Sequence, residues 1–183
     1  YALSRFNFRA KYWIVALMLL TQMFPLVMLV APIFKILTPL HLTNSLTGLV
    51  IVYTAFNVPF ATFLMQSFFD GIPKDLEEAA MIDGYTRLQA FWKVVLPQAT
   101  TGIAATAIFC LIFAWNEYAF VALLTSGEAQ TAPPFIPTII GEGGQDWPAV
   151  AAGTTIFLIP ILVFTILLRK QLLRGITFGA VRK

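Results

Sequence analysis

Three polar side chains stand together where a long apolar stretch of the chain ends: Asn116, Glu117 and Tyr118. An ionisable residue at or near membrane depth is a functional candidate by default, because a charge that faces lipid is costly. If a helix starts near Thr100, a rise of about 1.5 Å per residue puts Glu117 roughly 25 Å along it. A carboxylate, an amide and an aromatic ring suit a hydroxyl-rich ligand such as a sugar. The alternative is a hydrogen bond between helices or an interfacial position.

Two further polar side chains, Gln22 and Asn57, lie inside apolar stretches that also contain prolines. A proline within a helix leaves a carbonyl oxygen without its donor, and neighbouring helices or water must satisfy that oxygen. Polar residues in such stretches commonly hold helices together through hydrogen bonds. The other interpretation is that Gln22 and Asn57 line a polar path together with Asn116, Glu117 and Tyr118.

No set of residues predicts an enzyme or a metal site. Cys110 is the only cysteine and lies within an apolar stretch, and His41, the only histidine, has no second ligand near it in sequence. The chain has no Gly-x-x-x-x-Gly-Lys-Ser/Thr motif, so ATP must bind to another chain. We expect no catalytic residue, no bound metal and no cofactor in this chain.

The elements that carry these residues are predicted to be membrane-spanning helices. Of the 183 residues, 58% are hydrophobic and 11% are charged, and the mean hydropathy is +0.80. Soluble domains are about one-quarter charged, and a span needs about 20 apolar residues. We predict an all-α integral membrane protein that forms a single domain with four spans. The spans cover residues 12–34, 45–69, 98–124 and 149–168, the third being uncharged from Gln98 to Asn116.

The placement of the basic residues predicts the orientation of these spans. All but one lie before the first span, between the second and the third, or after the fourth, and the exception is Lys35. Loops rich in lysine and arginine stay on the cytoplasmic side, so both ends of the chain are expected to be cytoplasmic. The same bias accounts for the net charge of +3 and leaves no basic patch for a nucleic acid.

Residues 73–97, between the second and third spans, begin with a predicted short helix. Pro73 fits its first turn and Gly84 its end, because glycine tolerates the left-handed conformation that stops a helix. Four residues recur at helical spacings of three and four and give this helix a face with small side chains. They are Leu76, Ala79, Ala80 and Asp83. Such a face allows the close approach of a partner.

A second short helix should follow, because Thr86 and Gln89 form a capping-box pattern. Leu96-Pro97 is expected to end this helix and to start the third span. On the outer side, the region from Ser126 to Pro148 is rich in proline and glycine, so it is predicted to be irregular. Its sequence carries no basic residue.

A family resemblance rests on Glu78-Ala79-Ala80, with Gly84 four residues later and Leu96-Pro97 after that. In this pattern and in its topology the chain resembles a permease subunit of a binding-protein-dependent ABC importer, with Val94 where that family often has isoleucine. The resemblance implies that the segment is the coupling helix, which sits in a groove of the ATP-hydrolysing subunit. The implied coupling residues are Leu76, Glu78, Ala79, Ala80, Asp83, Gly84, Leu96 and Pro97.

Three stretches resemble the carbohydrate-type importers, which take up oligosaccharides, monosaccharides, polyols and glycerol phosphates. They are Gln22-Met23-Phe24-Pro25, Phe113 to Tyr118, and the tail from Gly175 to Val181. The resemblance implies a permease in the bacterial plasma (inner) membrane with a second permease subunit, as a heterodimer. It also implies two copies of an ABC ATPase that bind ATP and Mg, and an extracytoplasmic solute-binding protein. Family members have more spans than these four, and Tyr1 to Phe6 resembles the end of their second span, so the resemblance implies a partial domain whose first spans precede this sequence.

Two other classes compete with this interpretation. A secondary transporter or a channel without ATP coupling would be expected to carry charges at the membrane midplane, and the predicted spans lack them. A membrane-embedded enzyme would need a pair of histidine, cysteine or acidic side chains at membrane depth, and the sequence offers no such pair. The tail glycines suit a backbone laid close against another protein, which favours a contact with the ATPase.

Overall fold

The computed structural model describes residues 1–141 and 144–180, and most of this part is helical. The predicted all-α class is therefore confirmed. Two strands of two residues, β1 (Ile140–Gly141) and β2 (Gly144–Gln145), pair antiparallel in the outer region. The α-helices are α1 (Ala2–Arg5), α2 (Lys11–Met23), α3 (Leu26–Leu37), α4 (Leu46–Asp70), α5 (Lys74–Ile82), α6 (Arg87–Ala90), α7 (Leu96–Gln98), α8 (Thr100–Trp115), α9 (Ala119–Leu124), α10 (Ala132–Phe135) and α11 (Trp147–Ala180).

The outer region from Ser126 to Pro148 holds short turns as well as the small hairpin. Single turns of 3-10 helix form at Gly127–Ala129 and Ile136–Thr138, on either side of α10. Glu142 and Gly143 of this region lie outside the described residues, as do Val181, Arg182 and Lys183 of the tail. The described part of this region thus consists of short elements, as its prolines and glycines predict.

Two helices are long and apolar enough to cross a membrane, α4 and the part of α11 from Trp147 to Leu167. Two pairs of helices also qualify when each pair is counted as one span. The first pair, α2 with α3, bends by 104°, and the second, Arg87–Gln98 with α8, bends by 69°. The four predicted spans therefore correspond to four apolar units in the described chain, two of which are sharply bent.

The first predicted span, 12–34, is two helices and not one continuous helix, which corrects the prediction. The break lies at Phe24 and Pro25, which have ψ angles of 132° and 125°. A proline disfavours the helical conformation of the residue before it, because its ring clashes with that residue. The sequence Phe24-Pro25 therefore ends α2, and α3 starts in a new direction.

The second bend lies later than predicted. Leu96-Pro97 was expected to end the second cytoplasmic helix, but the helical backbone continues from α6 through a π-helical turn, Phe91–Val95, into α7. The Leu96 N–H donates to the Phe91 carbonyl, five residues back. Pro97 has no N–H for the usual bond, so the turn before it widens. The prediction is corrected: the direction changes at Ala99, and α8 begins at Thr100.

The capping-box prediction is confirmed at the start of α6. The Gln89 N–H donates to the Thr86 hydroxyl at 3.3 Å, and the Thr86 N–H donates to the Gln89 side-chain oxygen at 2.8 Å. Gly84 has φ of 93°, in the left-handed region that glycine adopts at little cost. The turn between α5 and α6 therefore has the predicted chemistry.

Helix α8 packs against both α4 and α11, and the contact with α4 is close. A Cβ atom built on Gly102 would lie 2.4 Å from Cγ of Phe68, so only glycine allows this approach. Two clusters of buried side chains flank this contact. One joins α3, α4 and α9, and the other lies at the C-terminal end of α4: Val30, Leu37, Val52, Phe120 and Leu124 form the first, and Phe69, Ile72, Val95 and Ala99 the second.

Candidate functional site

A cavity of about 610 Å³ lies between α2, α4 and the junction of α8 with α9. All five residues predicted to line a polar path line this one cavity. They are Gln22, Asn57, Asn116, Glu117 and Tyr118. Because they come from three separate parts of the chain, their convergence is a property of the fold.

The breaks in the helices place these side chains. Gln22 belongs to the last turn of α2, just before the bend at Phe24 and Pro25. Residues 116–118 form the interruption between α8 and α9. The predicted span 98–124 is therefore not one continuous helix either, because α8 ends at Trp115 and a new helix starts at Ala119.

The Glu117 carboxylate is fixed by three hydrogen bonds. It accepts from the N–H of Phe120 at 2.9 Å, from the N–H of Val121 at 3.3 Å, and from the Tyr53 hydroxyl at 3.2 Å. The first two bonds satisfy amide groups at the start of α9 that have no partner within the helix. The third joins α9 to α4. Glu117 thus makes the interhelical bond that sequence analysis held open, and it also faces the cavity.

The other polar residues are partly satisfied by backbone groups. The side-chain amide of Gln22 donates to the Phe56 carbonyl at 3.1 Å, and that of Asn57 donates to the Tyr53 carbonyl at 2.8 Å. The Asn57 side-chain oxygen is buried and has no hydrogen-bond partner among the described residues. A buried acceptor without a donor is costly, so this oxygen is suited to receive a hydroxyl group of a ligand or a water molecule.

Aromatic rings form much of the remaining wall. Phe60 and Phe113 meet edge to face with their centroids 4.9 Å apart, and the rings of Phe56 and Phe120 lie 5.0 Å apart. Sequence analysis missed Tyr53 and Phe60 as lining residues. Their spacing could have found them, because positions 53, 57 and 60 fall on one face of a helix.

The cavity lining carries one charged side chain among the described residues. Glu117 is the only acidic residue in its lining, and no lysine, arginine or histidine lines it among the described residues. Carboxylate and amide oxygens accept hydrogen bonds from hydroxyl groups, and flat rings pack against apolar faces. The cavity therefore offers what a polyhydroxylated, uncharged solute requires.

The predicted coupling residues lie in the segment formed by α5, α6, the π-helical turn and α7, which we call the segment α5–α7. Six of these eight residues are exposed, and a further one is half-buried. Ala80 is buried, at 6% exposure, so it packs inward. The exposed ones include Leu76, Glu78, Ala79, Asp83, Gly84 and Pro97, and the half-buried one is Leu96.

Glu77 was missed as a site residue, although it is the buried carboxylate of α5. Its side chain is 3% exposed and lies 3.1 Å from Nε of Arg5 and 3.6 Å from Arg87. The Tyr1 hydroxyl also donates to it. Helical spacing puts Glu77 on the same face as Ala80, three residues later, but the burial of that face is seen only in the structure.

These features define a class of membrane transport component, and comparison with known proteins names the family. Residues 1–177 match the family described as "Binding-protein-dependent transport system inner membrane component". The chain belongs to this family. The resemblance seen in Glu78-Ala79-Ala80 and Gly84 is therefore confirmed, as are the ABC importer permease fold and the prediction of a multi-pass plasma-membrane transport subunit that is not an enzyme.

Similar proteins include two permeases of transport systems. The sulfoquinovosyl glycerol transport system permease protein SmoH of Agrobacterium fabrum is 36% identical over 183 residues, which cover this whole chain and 64% of SmoH. The trehalose transport system permease protein SugB of Mycobacterium tuberculosis is 38% identical over 185 residues, covering the whole chain and 68% of SugB. The chain thus spans about two thirds of the length of these relatives.

A solved structure has the same fold. It is the crystal structure of a bacterial ABC transporter involved in the import of the acidic polysaccharide alginate, with a TM-score of 0.72 and 25% identity. The similarity covers 92% of this chain and 64% of the chain in that structure. The bends that separate α2 from α3 and α7 from α8 therefore occur within a chain of a known importer fold.

Proposed function

We propose that this chain is a permease subunit of an ATP-driven importer for a sugar or polyol. The observation that carries the proposal is the single cavity in which Gln22, Asn57, Asn116, Glu117 and Tyr118 meet. The names of the relatives support a carbohydrate substrate, since SmoH and SugB are both permeases for sugar-containing solutes. The lining disfavours an anionic solute, because its one carboxylate, Glu117, has no cation beside it among the described residues.

The proposed importer contains further chains. Part of a channel wall cannot enclose a solute path, so a second permease subunit would complete it. Two copies of an ABC ATPase would bind ATP and Mg, and an extracytoplasmic solute-binding protein would deliver the solute to the outer loops. In this arrangement both ends of the chain are cytoplasmic, as the basic residues predict.

The exposed side of α5 is the proposed docking surface for the ATPase. Leu76, Ala79, Ile82 and Asp83 lie at helical spacings of three and four, and all four are exposed. Ile82 is 86% exposed, which is unusual for a branched apolar side chain unless a partner covers it. Ala79 is a small residue between the apolar Leu76 and Ile82, so a groove of a partner can approach the helix closely. Sequence analysis had not included Ile82.

Uptake into membrane vesicles tests the transport function. The chain is co-expressed with its genomic neighbours, and radiolabelled sugars and polyols are supplied with and without ATP. We expect ATP-dependent uptake of a neutral solute, with glycerol or a neutral disaccharide favoured over glycerol phosphate. Uptake driven by an ion gradient without ATP would instead assign the chain to secondary transport.

Two sets of variants assign the two surfaces. Asn116→Ala combined with Glu117→Gln should weaken uptake while the complex still assembles, and unchanged affinity and rate would refute the cavity as the path. Ile82→Asp should reduce copurification of the ATPase, because it places a charge in an apolar contact. Lys74→Gln, on the opposite side of the same helix, is the matched control and should leave copurification unchanged.

A further inference from the structure

A group of polar and charged side chains, built around a buried ion pair, joins the start of the described chain to α5. We call it the α1–α5 cluster, and it consists of Tyr1, Arg5, Glu77 and Arg87. The side chains of Arg5 and Glu77 are each 3% exposed and meet at 3.1 Å between Nε and Oε2. Burial and the nearby Glu77 carboxylate raise the pKa of the Tyr1 phenol, so this group remains a hydrogen-bond donor at neutral pH.

Further contacts fasten α1 at the same place. The Arg5 guanidinium also donates to the Ile72 carbonyl at 2.9 Å, and the Ser4 hydroxyl bonds with Asp70 at 2.5 Å. These partners lie at the end of α4 and in the turn that leads to α5. Helix α1 is therefore attached both to α4, which is a predicted span, and to the segment α5–α7.

Aromatic contacts support the attachment. The Tyr1 ring lies 4.7 Å from the ring of Phe91 and 5.8 Å from that of Phe69, measured between centroids. On the other side of the cluster, the Arg87 guanidinium carbon lies 5.3 Å from the centre of the Phe6 ring. The residues around α1 thus pack against α4, the π-helical turn and α6 at once.

Stability alone does not explain the buried ion pair of Arg5 and Glu77. Two buried charges lose much of their hydration, and an apolar pair of similar size is often as stable or more so. What a buried, hydrogen-bonded pair fixes is geometry, since neither charge can move away without leaving the other unpaired. An Arg–carboxylate pair in this position prevents α1 and α5 from sliding past each other.

We propose that Glu77 is a positioning residue that makes α1 move with the docking helix α5. This inference rests on the proposed function and extends it. Glu78, the next residue, is exposed, so the two adjacent carboxylates face different partners. A displacement of α5 by the ATPase would then pass through Glu77 and Arg5 to the chain that leads into α2, in addition to passing through α8.

The test compares transport with ATP hydrolysis in the assembled complex. Glu77→Gln removes the charge with little change of shape, and Lys74→Gln, which neutralises an exposed charge on the same helix away from the docking surface, is the control. We expect Glu77→Gln to lower uptake about tenfold while ATP hydrolysis persists, so that more ATP is consumed per solute moved. The control should keep the ratio of the unmodified complex. An unchanged ratio in Glu77→Gln would overturn the proposal.

A second variant separates linkage from folding. Replacing both charges, as Arg5→Met with Glu77→Leu, leaves no buried charge unpaired and should assemble normally. We expect this double variant to remain poorly coupled. If it restores the normal ratio of uptake to hydrolysis, the ion pair is only structural and the proposal is wrong.

A distance measurement tests the linkage without relying on transport. Spin labels are placed at Ala2 and Lys74, which are both exposed and lie away from the docking surface of α5, in the complete complex. We expect one narrow distance that stays the same with and without ATP, and a broader distribution in Glu77→Gln. A distance that changes on adding ATP, or one that Glu77→Gln leaves narrow, would overturn the proposal even where no solute is transported. Failure of ATP-dependent uptake in the unmodified complex would instead refute the proposed function.

Discussion

Replacing Glu117 by alanine should loosen a wall of the cavity as well as remove its charge. The carboxylate accepts from the N–H groups of Phe120 and Val121 and from the Tyr53 hydroxyl. Phe120 and Val121 are 1% and 0% exposed, so water cannot easily replace the lost acceptor. The Tyr53 hydroxyl faces the cavity and can turn to water. The main cost of the substitution is therefore at the start of α9.

The expected magnitude follows from those two donors. A buried donor left without a partner costs about 1–3 kcal/mol, and loss of a side chain that caps a helix costs about 0.5–2 kcal/mol. Both figures describe the same amide groups, so they are not added. We expect Glu117→Ala to lower the free energy of unfolding by about 2–3 kcal/mol. Glu117→Gln retains one acceptor oxygen and should cost about 1 kcal/mol, mainly from the lost charge.

Unfolding of the purified complex in mixed micelles, with increasing SDS, measures these differences. Glu128→Gln is the control, because Glu128 is an exposed carboxylate in the outer region. We expect the control to lie within about 0.5 kcal/mol of the unmodified protein. If Glu117→Ala is as stable as the control, the hydrogen bonds to α9 contribute nothing and the reasoning fails. If glutamine costs as much as alanine, the charge matters and the acceptor geometry does not.

Three further predictions concern the backbone. Gly84→Ala should cost about 1 kcal/mol and reduce ATP-coupled uptake, because φ is 93° there, and a normal uptake rate would contradict this. Gly102→Ala should lower thermal stability by about 1–3 kcal/mol, because the added Cβ would clash with Phe68. Gly153→Ala is the control and should not, because a Cβ built there lies 3.5 Å from its nearest neighbour, Cδ1 of Ile139. Asn44→Ala should destabilise the outer loops through the lost 2.7 Å bond from Ser126, and Asn44→Gly, which keeps the positive φ of 49°, should be milder in the same melting assay.

The cavity shows how far residue type and spacing can predict a site. Gln22, Asn57 and the group 116–118 were identified because polar side chains are rare in apolar stretches. Their meeting in one place depends on the bend after α2 and on the break before α9, and no local pattern states the direction of the chain after a break. The aromatic wall was missed for a related reason, since phenylalanine in an apolar stretch is indistinguishable from a lipid-facing residue.

In the segment α5–α7, by contrast, local patterns predict two features but not the buried side of α5. The capping box at Thr86 and the turn at Gly84 are local, and both were predicted correctly because a few neighbouring residues determine them. The inward orientation of Glu77 and Ala80 depends on α1, a segment about 70 residues earlier in the chain. Helical spacing places Glu77 and Ala80 together, but it cannot state which side of α5 is buried.

Helix α4 connects the two surfaces. It carries Tyr53 and Asn57 at the cavity, and its last residue, Asp70, bonds with Ser4. Thirteen residues separate Asn57 from Asp70, which is about 20 Å at 1.5 Å per residue. Because α4 is one helix of 25 residues that continues through Pro59, we expect a tilt at its C-terminal end to move the cavity wall as well. In the proposed importer, α4 therefore connects the α1–α5 cluster with the Tyr53–Glu117 hydrogen bond. A variant that breaks one of these two contacts should leave the other contact intact.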